Sequence, residues 1–419
     1  MKITVLTDTQ GWGGTELHTL ALAETLVARG HQVCILEVGR SWYGTALAGA
    51  HTEIRTVQVE ARCRIGRHAF REIWRLLGAV PGDVAVFPKG IFEAGSLALD
   101  LAARLRFRRY LAIQHTLPAV LPPRTSARHL GGLIPGLGLW WWRQEMAPRW
   151  ARSLGPHLTV AVSEAVRQQL VRHYRFPKRK VVTIRSGIDP DRYQPDAKAR
   201  QAARRAWSIR ADALVFGAVG RLDPMKGYDL ALRAFREVSD RFPARDLCLV
   251  LVGTGPAEPD LRAEAARLGL EDRVLFAGFT ARPWEIYPAF DVFLLPSRVE
   301  GLPLSLLEAM AAGCCPVAMG VGGVPEILTS HELGWLIAAG DAAGFRAAMQ
   351  AAVSAGPVSR GAMAARARAE VVARFNAQEQ FGALADCLGV TAVAPAFAGS
   401  GQGRPVLGRS AAAAARAPR

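Results

Sequence analysis

Residues 290–328 constrain the fold most, because they join a short apolar segment to a helical one through a glycine-containing loop. Residues 291–296 have the length and apolar content of a buried strand, and the Pro-Ser pair at 296–297 ends it. Pro303 suits the first turn of a helix, where its missing N–H costs nothing, and Gly313 is a helix stop signal. The stretch therefore predicts a strand, a loop over 298–302, and a helix over 304–312 that begins at the carboxyl edge of a sheet.

The beginning of this helix is a predicted anion-binding site, since free N–H groups and the positive end of the helix dipole meet there. Glu300 in the loop and Glu308 in the helix flank it. Carboxylates repel phosphates but accept hydrogen bonds from neighbouring hydroxyls, so we expect both to bind sugar hydroxyls beside the anion. The alternative is one solvated glutamate and one helix glutamate that interacts favourably with the dipole.

Two basic side chains occupy a second loop of the same kind. Arg221 and Lys226 follow a predicted strand over 214–219 and precede a predicted helix over 228–242. Cations at the carboxyl end of a strand, beside a helix N-terminus, can neutralise a pyrophosphate as it departs. The alternative is a pair of exposed cations without a ligand.

The paired glutamates, with seven residues between them, and the Gly-Gly-Val-Pro-Glu segment at 322–326 resemble family 4 of the retaining glycosyltransferases. The resemblance covers residues 1–390, is strongest over 214–328, and is absent from a tryptophan-rich segment over 118–150. It implies an α/β protein of GT-B fold, with two Rossmann-like domains facing across a cleft, that uses a nucleotide-sugar donor.

The resemblance implies roles for residues of the N-terminal half. Gly13 and Gly14 match a glycine loop that lies beside the donor phosphates in this family. His115, at the end of a predicted strand over 110–114, is similar to a histidine near the transferred sugar, although Thr116 replaces the usual Asp or Gly.

It also implies the donor contacts of the C-terminal half. We expect Arg221 and Lys226 to stabilise the leaving diphosphate, Glu300 to contact the transferred sugar, and Glu308 to hold the ribose hydroxyls. The other expected donor contacts are the N–H groups at the helix start and the edge that receives the nucleobase: Gly301, Leu302, Leu304, Phe276, Gly278 and Phe279.

The implied reaction moves a hexose from a UDP- or GDP-sugar to an acceptor hydroxyl with retained anomeric configuration. The family is usually assigned a same-face displacement in which the leaving phosphate accepts the acceptor's proton, and no residue here stands out as a covalent nucleophile. We expect catalysis by Glu300, His115, Arg221 and Lys226. No metal-ligand cluster is visible and two cations can replace a divalent ion, so we expect neither a metal nor a cofactor.

The family associations predict a glycan or lipid-linked glycan acceptor, in polysaccharide, lipopolysaccharide or glycolipid synthesis. Three other functions remain open. A GT-B sugar-nucleotide epimerase would need no acceptor, and a non-catalytic protein would bind nucleotide sugar without releasing nucleotide. A dinucleotide oxidoreductase would require a complete glycine fingerprint after the first strand, which the sequence lacks.

The sequence predicts two domains. We expect an acceptor domain over 1–185, a linker over 186–212, a donor domain over 213–375, and a helix over 376–390 that returns to the first domain. Residues 391–419 hold almost no large apolar side chains and predict a disordered basic tail. No apolar run is long enough to cross a bilayer, no signal peptide precedes the first strand, and the six cysteines lack metal spacing. These features predict a cytoplasmic protein, with attachment to the inner face of the plasma membrane as an alternative.

The net charge of +16 is uneven, because residues 1–185 hold 26 Lys and Arg against 12 Asp and Glu, while the rest holds 26 against 24. The excess indicates an anionic partner such as a membrane or an acidic glycolipid, unless an arginine-rich composition merely spreads cations over solvated faces. No motif for specific nucleic-acid binding is present. Residues 136–152, rich in Trp and Arg, predict either a peripheral membrane contact or an acceptor-side lid.

Overall fold

The computed structural model describes residues 1–7, 13–38, 54–59, 67–80, 82–91, 97–116 and 155–389. The chain forms two compact units, one from Met1–Arg185 with Gln380–Arg419 and the other from Ser186–Glu379. Each unit is built on one parallel sheet. The tryptophan-rich segment, with its predicted membrane contact or lid, and the predicted basic tail lie outside the described residues.

The first unit contains a seven-stranded sheet in the order β3-β2-β1-β4-β5-β6-β7, and each strand runs parallel to its neighbours. Its strands are β1 (Lys2–Thr7), β2 (Gln32–Val38), β3 (Ile54–Val59), β4 (Val84–Ile91), β5 (Arg109–Thr116), β6 (Leu158–Ala161) and β7 (Val181–Thr183). The described helices between them are α1 (Gly14–Ala28), α2 (Arg67–Ala79), α3 (Leu97–Arg106) and α4 (Glu164–Arg172). Ser163 caps α4 as its sequence predicts, because its hydroxyl accepts a hydrogen bond from the Val166 N–H.

The second unit contains a six-stranded parallel sheet in the order β10-β9-β8-β11-β12-β13. Its strands are β8 (Leu214–Val219), β9 (Leu247–Val252), β10 (Val274–Gly278), β11 (Val292–Leu295), β12 (Cys315–Met319) and β13 (Trp335–Ile337). Its helices are α5 (Ala197–Ala206), α6 (Tyr228–Arg241), α7 (Glu258–Arg267), α8 (Leu304–Ala311), α9 (Val324–Ile327), α10 (Ala342–Ser354) and α11 (Gly356–Arg374). The last helix, α12 (Ala377–Cys387), groups with the first unit from Gln380 onward.

The central strands of the second sheet are apolar along their whole length because helices cover both faces of a parallel sheet. Phe216 and Leu294 of these strands pack in one cluster with Phe235 of α6 and Phe345 of α10. Gly217 lies in β8 where a Cβ atom would come within 2.2 Å of the Phe290 ring, so only glycine fits there. The prediction of two Rossmann-like α/β domains is confirmed by these two sheets.

The segment 186–212, which we predicted to be a linker, is part of the second unit, and the prediction was wrong for this stretch. Helix α5 lies within it, and its Arg204 is buried with 3% of its surface exposed. The Arg204 guanidinium donates to the carbonyls of Ala289 and Ala213 and to the Asp291 carboxylate at 2.8 Å. Arg204, one of the polar residues that indicated a linker, therefore forms a buried network with Asp291 that attaches the helix to the sheet.

Strand β4 also differs from the prediction, which ended it at residue 87 and placed residues 88–90 in a loop. The strand continues to Ile91, and Pro88 aligns with Ile113 of β5. Pairing of β1 with β4 stops at Val86, so the missing N–H of Pro88 breaks no bond on that side.

None of the described helices is long and apolar enough to cross a membrane.

Candidate active site

The candidate site lies at the carboxyl ends of β8 and β11 in the second sheet. These strands are neighbours in the sheet but not in the chain, because the connections from β8 run one way through β9 to β10, and β11 then adds to the other side of β8. Such a switch point leaves a crevice outside the strand ends, where open α/β sheets bind their ligands. The loops over 220–227 and 296–303 follow these two strands and carry five of the predicted site residues.

Lys226 and Glu300, one from each loop, form an ion pair with the Lys226 Nζ 2.7 Å from the Glu300 Oε1. The Ser297 hydroxyl donates to the same oxygen at 2.7 Å. Only 7% of the Glu300 side chain is exposed, compared with 31% of Lys226. Both bonds fall on Oε1. Among the described residues none donates a hydrogen bond to the Glu300 Oε2, so this oxygen can accept from a ligand.

Arg298 fastens the two loops to each other. Its N–H donates to the Met225 carbonyl at 2.8 Å, and its guanidinium donates to the Pro224 carbonyl and pairs with Asp229 at 2.8 Å. This pair holds the pKa of Asp229 below its ordinary value, against the opposing effect of burial. Asp223 caps the turn before Lys226 by accepting from the Met225 N–H at 3.0 Å.

Two glycines allow the loops to approach this closely. Gly227 has a φ of 69°, and a Cβ atom there would lie 2.1 Å from the Pro296 carbonyl oxygen. Gly322 has a φ of 54°, and its Cβ would lie 2.0 Å from the Glu300 carbonyl oxygen. The N–H of Gly323 then donates to the Gly301 carbonyl at 2.7 Å, which ties the Gly-Gly segment of the family signature to the Glu300 loop.

Helix α8 begins at this crevice, with Pro303 as its cap residue in an extended conformation. Gly301 and Leu302 are buried just before it, and Leu304 is its half-buried first residue. The predicted strand, loop and helix are therefore present, with the helix start at the carboxyl edge. Arg221 belongs to the facing loop, and its side chain is exposed.

Glu308 lies one turn into α8 and is buried, with 8% of its surface exposed. Its Oε2 accepts from the Tyr287 hydroxyl at 2.6 Å, and the Tyr193 hydroxyl is a second hydrogen-bond partner. Burial raises the pKa of Glu308 above its ordinary value, and the two tyrosine hydrogen bonds act in the opposite direction. Glu308 and Glu300 thus have separate hydrogen-bond partners, as two residues that hold different parts of a ligand would.

The predicted nucleobase edge lies at the end of β10, on the outer side of β9. The Phe279 side chain is 46% exposed, whereas the ring of Phe276 is half-buried, with the Arg262 guanidinium 4.5 Å from its centroid. Gly278 adopts a φ of 73° and its carbonyl accepts from the Gly253 N–H. The exposed ring of Phe279 is therefore available to a ligand, whereas the ring of Phe276 already contacts the Arg262 guanidinium.

The remaining predicted residues belong to the first unit. Gly13 caps α1 and Gly14 is its exposed first residue. His115 is buried near the carboxyl end of β5, and its ring contacts His18 of α1 edge to face at 4.7 Å. The His115 Nε2 has no hydrogen-bond partner among the described groups. Burial and the neighbouring imidazole hold the pKa of His115 well below its ordinary value, so the ring is neutral.

The structure adds residues that sequence reasoning missed. Ser297 stands directly before the predicted loop and was interpreted only as the end of a strand. His18 follows Gly14 by four residues, about one helical turn, so both lie on the same face of α1. This spacing could have indicated His18, although it belongs to no sequence motif. Tyr193 and Tyr287 carried no sequence signal, since both reach Glu308 from distant parts of the chain. Within the described residues no group of three His, Cys, Asp or Glu side chains could hold a metal ion.

Two family models match separate parts of the chain. The model described as glycosyl transferases group 1 matches residues 199–370, and the model described as glycosyltransferase family 4 matches residues 12–192. The D-inositol 3-phosphate glycosyltransferase of Rhodococcus opacus is 34% identical over 231 residues, which is 52% of this chain and 51% of that protein. The chain spans about half the length of the curated relatives it matches.

Solved structures of this family share the fold. HepE of Anabaena, in complex with UDP and glucose, aligns with a TM-score of 0.75 and 20% identity, over 93% of this chain and 99% of its own. WaaG, a glycosyltransferase involved in lipopolysaccharide biosynthesis, aligns with a TM-score of 0.69 and 19% identity, over 93% of this chain and 99% of its own. With both models matched and the GT-B fold shared, the chain belongs to the group 1, or family 4, glycosyltransferases.

Proposed function

We propose that this protein transfers a hexose from a UDP- or GDP-sugar to a hydroxyl of its acceptor, with retained anomeric configuration. The observation that carries the proposal is the contact between Lys226 and Glu300 at the switch point of the second sheet. A cation there suits a diphosphate, and a buried carboxylate with one unoccupied oxygen suits a sugar hydroxyl. A nucleotide diphosphate sugar contains both the diphosphate and the sugar hydroxyls, so it suits this site.

The placement of the second unit's residues supports a donor site there. Lys226, Arg221 and the N–H groups at the start of α8 would hold the diphosphate. Glu300 would accept from the transferred sugar through Oε2, and Glu308 would accept from the ribose hydroxyls. Phe279, with Gly278 and the backbone of Phe276, would receive the base, since its exposed face can stack on any nucleobase. The UDP in the HepE complex supports uridine.

In the proposed reaction, the bond between the sugar's anomeric carbon and the diphosphate oxygen breaks while a bond to the acceptor oxygen forms on the same face. The acceptor's proton passes to the leaving phosphate oxygen, so no protein base is required. Lys226 and Arg221 act where negative charge develops on the diphosphate, which makes them catalytic groups. They can also do the work of a divalent ion, so we propose that the reaction needs no metal.

We assign His115 to the transferred sugar together with Gly13 and Gly14 beside the phosphates. The unsatisfied Nε2 of His115 favours such a contact, because a buried ring nitrogen without a partner is costly unless a ligand completes it. A neutral imidazole suits hydroxyl groups, since one nitrogen donates and the other accepts.

The acceptor is proposed to be a glycan or a lipid-linked glycan of the cell envelope. The matched relatives act on D-inositol 3-phosphate by name, and WaaG takes part in lipopolysaccharide synthesis, so the family supports a polyhydroxyl acceptor without fixing which one. We propose a cytoplasmic location at the inner face of the plasma membrane, where such acceptors are made.

The Glu300→Ala variant tests the proposal. We expect it to lose transfer by about 100-fold or more, because a contact made in the transition state disappears, while nucleotide binding measured by calorimetry changes little. The matched control is Glu285→Ala, at an exposed site outside the loops, which should transfer at the wild-type rate. Release of UDP or GDP is followed together with chromatography of the sugar nucleotide.

Each outcome of this assay decides between functions. Unchanged turnover of Glu300→Ala refutes the role of Glu300. Conversion of the donor to its epimer without acceptor would identify an epimerase, and binding without nucleotide release would identify a non-catalytic protein. Thermal stabilisation by a panel of sugar nucleotides then selects the donor, since the tightest ligand of the folded state raises the melting temperature most.

A further inference from the structure

The amino-terminal edge of the first sheet, opposite the edge that carries His115, is strongly basic. Arginines and lysines occupy the turns before β5 and β7, the strands on either side of β6, and the ends of the helices that lead into those turns. We call this set the basic edge; it consists of Arg104, Arg106, Arg108, Arg109, Arg172, Arg175, Lys178, Arg179 and Lys180.

The topology brings these residues together. Parallel strands all start at one edge of their sheet, and the helices between them run the other way, so helix ends and strand starts meet there. Helix α3 ends at Arg106, just before β5, and α4 ends at Arg172, with eight residues between it and β7. His157 precedes β6 between them, where its Nδ1 accepts from the Tyr110 N–H at 3.0 Å.

Most cations of the basic edge have no counter-charge among the residues that the structure describes. The side chains that are exposed and form neither an ion pair nor a hydrogen bond with any described residue are Arg106, Arg108, Arg172, Arg175, Lys178 and Arg179, whereas Arg109 donates to the Leu388 carbonyl at 3.0 Å. The described residues of these turns and of the turn before β4 include one acid, Asp83. Burial first, and then the charges of Arg104 and Arg179, lower the pKa of Lys180, as expected among crowded like charges.

The corresponding edge of the second sheet holds carboxylates beside its arginines. Arg210 pairs with Asp212 at 2.7 Å and approaches Asp246 at 3.4 Å. Arg200 and Arg204 both pair with Asp291. Arg241, Arg245 and Arg273 form no ion pair with a described residue either, but Asp212, Asp246 and Asp272 lie in the turns of this edge. The net positive charge is therefore concentrated on the basic edge.

We propose that the basic edge docks the protein on the surface of an anionic lipid bilayer. Leu105 stands between Arg104 and Arg106 in the sequence with 58% of its surface exposed, and an exposed apolar group beside cations suits the boundary between headgroups and acyl chains. A single-stranded nucleic acid would call for exposed aromatic rings to stack its bases, whereas Phe107, Tyr174 and Phe176 of these turns are all buried. The surface differs from residues 136–152, and docking here does not depend on the transfer reaction.

Binding to lipid vesicles tests the proposal with the full chain. The variant replaces four exposed cations: Arg106→Gln, Arg108→Gln, Arg172→Gln and Arg179→Gln. Each lost cation near an anionic surface weakens partitioning roughly five-fold, so the combined loss should be at least about 100-fold on phosphatidylglycerol-containing vesicles. The wild type should bind these vesicles, release from them as salt is raised, and bind pure phosphatidylcholine far more weakly.

The matched control makes the same change of charge on the second unit, at exposed residues: Lys198→Gln, Arg241→Gln, Arg245→Gln and Arg273→Gln. It should bind vesicles like the wild type, and equal melting temperatures show that all three proteins are folded. The proposal is overturned if the wild type does not bind anionic vesicles, or if both variants lose the same affinity. Wild-type binding by the basic-edge variant also overturns it, as does a single-stranded polynucleotide that displaces the protein from vesicles at equal charge concentration.

Discussion

His18 and His115 place two uncharged imidazoles in contact inside the first unit. Burial lowers the pKa of His18 from 6.5 to about 4, so its ring cannot take up a proton in the folded protein at neutral pH. Its other neighbour is the Phe381 ring of α12, at 5.0 Å. The contact therefore connects the helix after Gly13 and Gly14, the proposed sugar contact His115, and the C-terminal helix of the same unit.

This pair predicts a pH-dependent stability. A histidine in the unfolded chain binds a proton below pH 6.5, whereas folded His18 binds one only near pH 4, so its stabilisation is complete above pH 6.5 and lost as pH falls to about 4. The loss should be about 3 kcal/mol. The His18→Phe variant keeps the ring contacts. Between pH 6.5 and about 4, its free energy of unfolding, measured with urea, should fall by that much less than the wild type's.

The control for this prediction is His173→Gln, at an exposed site. It should show the wild-type dependence, because an exposed side chain changes its surroundings little on folding. If His18→Phe loses as much stability as the wild type between pH 6.5 and about 4, burial of His18 is not the cause.

Single residues of the site were predictable where local sequence determines their place. Glu300, Lys226 and the start of α8 follow from the strand, loop and helix pattern, because the carboxyl ends of parallel strands meet at one edge. Ser297 and Tyr287 could not be found in this way, since a hydroxyl that positions a carboxylate depends on side-chain geometry and not on spacing.

The two loops after β8 and β11 behave as one structural element. Arg298, with its bonds to the Pro224 and Met225 carbonyls, crosses from one loop to the other, and Gly227 lies against the Pro296 carbonyl. The distance between Lys226 and Glu300 is therefore set by backbone packing as well as by their charges.

The Gly227→Ala variant tests this element. An alanine there meets both a left-handed φ of 69° and a Cβ position 2.1 Å from the Pro296 oxygen, so one loop must move away. We expect a loss of roughly 2 kcal/mol or more in the free energy of unfolding, with reduced transfer, because Lys226 moves with Gly227.

Gly361→Ala is the matched control, since Gly361 lies inside α11 and its Cβ would meet nothing within 4 Å. Alanine should stabilise that helix by about 0.5–1 kcal/mol without changing transfer. Equal stability of Gly227→Ala and the wild type would show that the loops are not held as described.

The buried central strands were the elements best predicted from the sequence, because runs such as residues 247–252 are apolar throughout. Strand β3 was not predicted: it lies at the edge of its sheet, and its Arg55, Thr56 and Gln58 interrupt the apolar pattern. Helix α5 was interpreted as part of a linker because its sequence is polar and rich in arginine, whereas its Arg204 is buried and pairs with Asp291. Edge strands and charged anchors depend on neighbours that the local sequence does not show.

At the scale of the whole molecule, the chain contains two parallel sheets with different charge. The second unit holds the predicted diphosphate site and an amino edge with both acids and arginines, whereas the first unit holds His115 and the basic edge. The uneven charge was visible in the sequence, but its concentration on one edge emerges only when helix ends and strand starts are brought together. A donor site on one unit and a lipid-facing surface on the other would suit an enzyme that glycosylates a membrane-borne acceptor.

A crystal structure of the full chain with bound UDP or GDP tests the central claim most directly. We predict that the diphosphate lies at the carboxyl ends of β8 and β11, with its oxygens about 3 Å from the Lys226 Nζ and from the N–H groups of Gly301 and Leu302. A nucleotide bound away from these strand ends, with Lys226 engaged only by Glu300, would contradict the account.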